Sequence, residues 1–400
     1  GRGGFNCILG NPPWEEIKTE ERSFWARYYP GLWSMGASGI KKTIEELKDN
    51  NPSLVAEYEK ELDQNITYVK VLSGGDYPGF ETGDPDLYKV FSWRFWNLLR
   101  DGGTFGVVLP RSVFASSGSS LWRKNIMENG DFIELTTLTN KAGWVFDDVA
   151  HNYTIALLSV KKTGLPDDVI AMRGPFNSKE DYLKSVDQDP VELPASDVLS
   201  WTEGASFPLI PSRESGEVFL KLRKHPNLID VFGSRPIGEF HATNDRKKGF
   251  FSVDFEDEPE GSWPVFKGSS FNLWNSDTGE RYGWCDPTVV VEELQRRRVS
   301  GQRKRASAFY EADDEWVKDE KTLNCFHPRT AFRGIARATD RRTVIAALVP
   351  PKLVLTNASP YLHFPVRSAY REAYLLGILS STILDWFARR FVEVNLNFFI

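Results

Sequence analysis

The chain has 400 residues, 41% of them hydrophobic, with 13 Trp and 27 Phe, which is ample for a folded core and outside the disordered range. A net charge of −6 carries no global signature of a nucleic-acid binder. No apolar run approaches the ~20 residues of a membrane span, so no membrane partner and a cytoplasmic setting are expected. The three cysteines (Cys7, Cys285, Cys325) are far apart and form no CxxC pair, which excludes zinc ribbons and redox motifs; no metal site is expected.

In chain order, residues 5–9 are a short apolar run closed by Gly10, the pattern of a buried strand entering a tight turn. From 15 to about 85 the chain is polar and mainly helical. Helix-like spacing over 41–48 and 54–62 reads as an inserted helical hairpin, with Trp25, Tyr28, Tyr29 and Trp33 expected to pack in a core. Asp84-Pro85-Asp86 offers a helix start. Leu87, Val90, Phe91, Phe95 and Leu98 recur at helical spacing, and Gly102-Gly103 is the expected stop. A strand over 104–109 closed by Pro110, a helix over 121–127 and strands over 132–138 and 154–160 follow. This order belongs to the later part of an open α/β sheet. A boundary is expected at 161–166, beyond which 167–400 shows short strands and irregular loops without an internal repeat.

The chemistry concentrates in Asn11-Pro12-Pro13-Trp14, directly after the first strand. Two prolines fix φ twice and remove two donors, so the carbonyls of this turn point to a fixed place. An amino group on an aromatic base is a poor nucleophile because its lone pair is delocalised into the ring. The Asn11 side-chain oxygen and the Pro12 carbonyl can each accept one of its N–H groups, favouring a tetrahedral nitrogen with a free lone pair. Trp14 offers a flat face for stacking, worth ~1–3 kcal/mol. A base reaches such a pocket only when flipped out of the duplex. A proline-rich loop of no chemical consequence is the competing reading, and the position at the carboxyl end of a strand, where open α/β sheets bind ligands, argues against it.

These residues resemble the catalytic loop of γ-class DNA adenine-N6 methyltransferases, and more closely the large single-chain methylases of type IIG restriction-modification and of BREX- or DISARM-type phage defence. Further stretches match in order: 86–88 opening a helix, Gly102-Gly103 leading through a strand to Pro110, and Trp144-Val145-Phe146-Asp147 before the strand at 154. By that match Phe146 is the second wall stacking on the flipped adenine, with Tyr153 as substitute and a plain core role for Phe146 as the alternative. The resemblance continues at 239–245, 329–343 and 395–399. It implies the later half of a Rossmann-like class I methyltransferase sheet with a helical insertion (domain 1–165, insertion 15–85), followed by a linker and a mixed α+β target-recognition domain (166–400) truncated at its carboxyl end.

The same resemblance implies S-adenosylmethionine as methyl donor, touched here by Asn11 and Pro13. The family's Gly-rich cofactor loop belongs upstream of the catalytic turn, and only ten residues precede Asn11. The chain therefore reads as an internal fragment, expected on its own to bind the donor poorly and not to turn over. Implied partners are double-stranded DNA and other restriction or phage-defence subunits. For DNA contact the candidates are Thr243, Asn244, Arg246 and Lys247, and the series Arg329, Arg333, Arg337, Arg341 (with Arg342), whose near four-residue spacing would make a basic stripe on a helix. A solvated face with ordinary ion pairs is the equal alternative for that series, and Thr243 and Asn244 serve equally as turn caps. Six basic residues within 296–305 read as a basic loop. Competing functions are methyl transfer to RNA or to a protein glutamine, and a non-catalytic DNA-binding subunit of a defence complex.

Overall fold

The computed structural model describes residues 3–400 except 152, 203, 255–257, 306, 393–395 and 397–400. The chain divides into two compact units, Gly1–Val218 and Phe219–Ile400. The first is built on β1 (Phe5–Gly10), β2 (Leu99–Pro110), β3 (Gly130–Thr139), β4 (Thr154–Lys162), β5 (Val169–Phe176) and β6 (Val191–Pro194), which form one sheet in the order β1-β2-β4-β3-β5-β6. β1 runs parallel to β2, and β4 is antiparallel to both β2 and β3. The carboxyl ends of β1, β2 and β3 therefore lie at one end of the sheet, and the loops that follow them gather there.

The elements expected over 5–160 are present, with three differences. The first strand is not buried: β1 is an edge strand paired only with β2, and Phe5 and Leu9 are 57% and 80% exposed. An apolar run of five residues reads the same at an edge as in a centre, because the difference lies in the neighbours. Second, helix Leu87–Leu98 ends before the glycines, and β2 begins at once. Phe5 pairs with Leu99 and Cys7 with Thr104, so residues 100–103 bulge out of the ladder, with Gly102 at φ 76°. Third, the expected boundary at 161–166 begins in the last two residues of β4 and continues into a turn, 163–168, that joins β4 to β5 within the same sheet, and the first unit runs on to Val218.

The reason for that continuation is visible in the packing. Phe207 lies against Phe114 and Phe132 (ring centroids 5.5 and 5.1 Å), which in turn meet Trp122 and so cover one face of the sheet. Arg123, fully buried in helix Ser120–Asn129, donates to the carbonyls of Val113, Ser116, Gly204 and Ala205. Burial pulls its pKa down to about 9, and four carbonyls stand in for a carboxylate partner.

The insertion forms helices Glu21–Ala26, Ala37–Asn50 and Pro52–Ser73 around a small core of Phe24, Trp25, Leu32 and Ile44. Of the four aromatic residues expected inside it, only Trp25 is buried. Tyr28, Tyr29 and Trp33 are 40%, 37% and 56% exposed; Tyr28 donates to Glu57 and the Arg22 guanidinium covers the Trp33 ring. The excursion leaves and rejoins the sheet at one place: Leu87 N–H donates to Glu15 O (2.9 Å) and Ile17 N–H to Pro85 O (3.0 Å).

The second unit is mixed α+β. Its strands are short: β7 (Arg235–Ile237), β8 (Trp263–Phe266), β9 (Gly283–Cys285), β10 (Arg329–Phe332), β11 (Ala346–Val349), β12 (Val354–Leu355) and β13 (Tyr361–His363). They form a four-stranded sheet, β11-β10-β13-β7, and a three-stranded one, β12-β8-β9. A shared core of Phe266, Phe271, Ala331, Val349, Leu355 and Tyr361 joins the two. Among the described residues, no helix is long and apolar enough to cross a membrane and no cluster of His, Cys, Asp and Glu could hold a metal ion.

Candidate active site and nucleic-acid interface

Asn11-Pro12-Pro13-Trp14 leaves the carboxyl end of β1. Pro12 is buried and anchors the turn, while Asn11 and Pro13 face solvent. Trp14 is half-buried, and its indole N–H donates to Val108 O of β2 (3.4 Å). The pairing of Glu15 and Ile17 with 85–87 fixes the outgoing backbone, so the turn is held on both sides.

Phe146 lies 132 positions further on, in the loop between β3 and β4, and the structure brings it to Trp14. The ring centroids are 6.1 Å apart with an interplanar angle of 83°, an edge-to-face contact. Tyr153, the substitute candidate, is 50% exposed; its carbonyl accepts the Asn140 N–H (2.8 Å).

What holds Phe146 there is a residue that sequence reasoning missed. Asn140, at 0% exposure, directly follows β3. Its side-chain oxygen accepts the N–H groups of Val145 (3.1 Å) and Phe146 (3.0 Å), and its NH2 donates to Phe146 O and Val149 O (both 2.8 Å). All four hydrogen-bonding positions of the amide are filled by one loop. Ala142 and Gly143 take left-handed φ (57° and 73°) to turn the chain back, and the Trp144 indole donates to Thr139 O (2.7 Å). The available signal was an Asn directly after an apolar strand, a residue that habitually binds nearby backbone.

In the second unit, the segments at 239–245 and 329–332 prove to be partners. Glu239 and Arg329 form a fully buried ion pair (3.1 Å), and Glu239 also accepts Leu355 N–H (2.7 Å). Burial pushes the Glu239 carboxyl up, against the opposing pull of Arg329. Asp245 is bound by Arg297 (2.9 Å) and accepts His241 N–H (2.7 Å). Thr243, Asn244, Arg246 and Lys247 are exposed at the short helix Asn244–Lys247. Thr243 is its N-cap residue without a side-chain cap bond, and Arg246 pairs with Asp254.

The expected helical stripe over 329–342 does not exist. Residues 329–332 are β10, and 333–345 is a loop. Arg329 lies in the core. Arg333 is half-buried and donates to Phe271 O (2.8 Å), and Arg342 donates to Val344 O and Ser381 O. Arg337 and Arg341 are exposed. The basic run 296–305 is not a loop throughout: helix Pro287–Gly301 carries its first half, where Glu293 binds Arg296 and Arg297, and Arg298 is buried. Of the segment at 395–399, only Leu396 lies within the described residues; its N–H donates to Gly334 O.

No protein-family model matches the chain, and no curated protein does. Among solved structures it is similar over 96% of its length to a nuclease-deletion mutant of the Type ISP restriction-modification enzyme LlaGI in complex with a DNA substrate mimic (10% identity, TM-score 0.37). It is similar over 74% to the Type IIL restriction-modification enzyme MmeI in complex with DNA (12%, 0.37) and over 84% to the type IIG restriction endonuclease BpuSI (14%, 0.31). The chain spans 38%, 38% and 43% of those chains, respectively. These structural neighbours are restriction-modification enzymes.

Proposed function

We propose that this chain carries the catalytic turn and part of the DNA reader of a site-specific DNA methyltransferase. It acts on the N6 amino group of a flipped-out adenine within a restriction-modification or phage-defence system. The observation that carries the reading is the meeting of Trp14 and Phe146, 132 positions apart in sequence, beside Asn11-Pro12 at the end of the sheet. The first unit is then the later half of a class I methyltransferase sheet, and the second unit is the target-recognition part.

The Asn11 side-chain oxygen and Pro12 carbonyl accept the two N–H groups of the adenine amine and draw its nitrogen toward tetrahedral geometry. With its lone pair freed, the amine nitrogen is held ready to take a methyl group from an electrophilic donor and to give up one N–H proton to solvent. Trp14 and Phe146 hold the ring. Sandwiching a base needs two faces about 7 Å apart, two contact distances of about 3.5 Å. One of the two rings must therefore turn from its present edge-to-face position as the base enters.

S-adenosylmethionine is the donor this chemistry requires, and it supplies an electrophilic methyl sulfonium. This chain's residues fit it only in part. The turns after β1, β2 and β3 begin with Asn11, Arg111 and Asn140, and among the described residues none is a glycine-rich turn running from a strand of this sheet into a helix. Asn11 and Pro13 are the residues we propose touch the donor.

The test is methyl transfer by the full-length gene product that carries this chain, from labelled donor to unmethylated genomic DNA, with an RNA pool and a glutamine-containing peptide as parallel substrates. Label is expected in DNA as N6-methyladenine, and Asn11→Ala is expected to lower the rate by about 100-fold or more with duplex affinity retained. Label in RNA or peptide alone, or full activity in the variant, overturns the assignment.

A further inference from the structure

Five arginines at near four-residue spacing sort into two groups. Arg329, Arg333 and Arg342 spend their N–H groups on carbonyls and on Glu239 within the second unit. Arg337 and Arg341 are exposed, and among the described residues neither guanidinium has a hydrogen-bonded or ionic partner.

The loop presenting these two is held unusually firmly for an exposed segment. Its start is fixed by Gly334 N–H donating to Ala358 O (2.9 Å), with Gly334 O accepting from Leu396. Arg337 N–H donates to the Asp340 carboxylate (2.8 Å), Asp340 N–H returns to Arg337 O (3.1 Å), and the Thr343 hydroxyl donates to that same carbonyl (2.9 Å). Arg389 reaches up from helix Thr382–Ala388 and its C-cap to bind Ala338 O and Arg341 O. Arg389 is itself held by Asp385, a 7% exposed carboxylate that also accepts Thr343 and Val344 N–H (2.8 and 2.7 Å). Burying a carboxylate and committing a guanidinium to fix a surface loop is a costly arrangement unless the loop's shape matters. Residues 333–342 hold four Arg and one Asp, a local charge of +3 in a chain of −6. Beside the two free guanidiniums, Ile335 is 63% exposed.

We propose that loop 334–341 is a preformed contact edge for duplex DNA, with Arg337 and Arg341 binding phosphates. The proposal rests on the DNA-directed reading above. Prepaid loop order lets two flexible guanidiniums dock without the entropic loss of folding the segment on contact. Each phosphate neutralised releases counterion, so the contacts are read in the salt dependence of affinity.

The experiment is fluorescence anisotropy of the protein with a labelled 30-base-pair duplex of random sequence between 50 and 200 mM salt. Arg337→Gln with Arg341→Gln is expected to make the log–log salt slope about 2 units shallower and to weaken binding about 10-fold or more at the low-salt end. Arg303→Gln with Arg305→Gln removes the same charge from another exposed basic stretch and is expected to change the slope by less than half as much. Thermal melting checks the fold of each variant. An unchanged slope in the first variant, or equal slopes in both, overturns the loop assignment and leaves the methyl-transfer reading standing. No duplex binding by the unaltered protein overturns both.

Discussion

The two units are stabilised in different currencies. In the first, a twelve-residue strand pairs with β4 from Thr104 to Pro110 and with β1 from Thr104 to Val107, and interlocking aromatic rings seal one face. In the second, no strand exceeds four residues among the described residues, and buried side-chain charges add to the shared apolar core: Glu239 ties Arg329 and Leu355 across the two short sheets, while Asp245 with Arg297, and Asp385 with Arg389 and two backbone N–H groups, hold helices and loops. A long ladder needs little help from individual side chains. Short strands leave backbone groups and loop ends unsatisfied, and charged side chains take over that duty. A dense basic sequence can thus be mostly internal scaffolding, with few of its charges left for a partner.

The sharpest way to break this comparison is to remove one charge from the second unit's centre. Glu239→Ala leaves Arg329 buried without its carboxylate and is expected to cost about 3–5 kcal/mol in urea unfolding. A loss below about 1 kcal/mol would mean the ion pair is not what ties the two short sheets.

A smaller effect is expected in the first unit. Asn140→Ala strands the backbone groups of Val145, Phe146 and Val149 and is expected to cost about 1–3 kcal/mol by the same measurement. Because the loop then no longer fixes Phe146, single-turnover methyl transfer should fall about 10- to 100-fold, with DNA affinity little changed. Equal loss of affinity and rate would assign Asn140 to folding alone.

The smallest and most diagnostic effect is in pH. Burial, more than its acidic neighbours, raises the Asp167 carboxyl in the first unit from 3.8 to about 6. Its folded form holds the proton more tightly, so its contribution is fully present below pH 3.8 and lost as pH rises to about 6. In the second unit, burial and then the charges of Arg367 and Arg298 lower His363 from 6.5 to about 4. Its contribution is fully present above pH 6.5 and lost as pH falls to about 4. Between pH 4 and 6 the two slopes oppose. Urea midpoints of Asp167→Asn should fall less steeply from pH 4 to 6 than those of the unaltered protein. His363→Gln should show the converse. Parallel curves for both would remove the distinction between the units.

Legibility in the sequence follows the same division. The strands expected at 104–109, 132–138 and 154–160 and the helix at 121–127 were readable because each is long enough for its periodicity to show, while the start of β2 at Leu99 was hidden by the glycines at 102–103. The pairing of Trp14 with Phe146 was readable from motif order. Exposure of β1 was not, since Phe5 to Leu9 carry no mark of having one neighbour rather than two. The clamp at Asn140 was hidden because a polar residue after a strand usually marks a turn. In the second unit the arginine rhythm imitated a helix face, yet its period arises from a strand followed by a loop.

The closure of the insertion at Glu15–Ile17 and Pro85–Leu87 carries one last implication. The exit and re-entry points are stitched to each other, and the excursion between them keeps its own small core. Residues 78–84 belong to the host, since Pro78 O accepts the Trp93 indole N–H and Thr82 O the buried Lys89 ammonium (both 3.0 Å), and what lies between 18 and 73 is therefore interchangeable hardware. It can be exchanged, lengthened or trimmed to a short bridge while Trp14 keeps its seat, since extra loop length adds only weakly to the closure cost once the ends are joined.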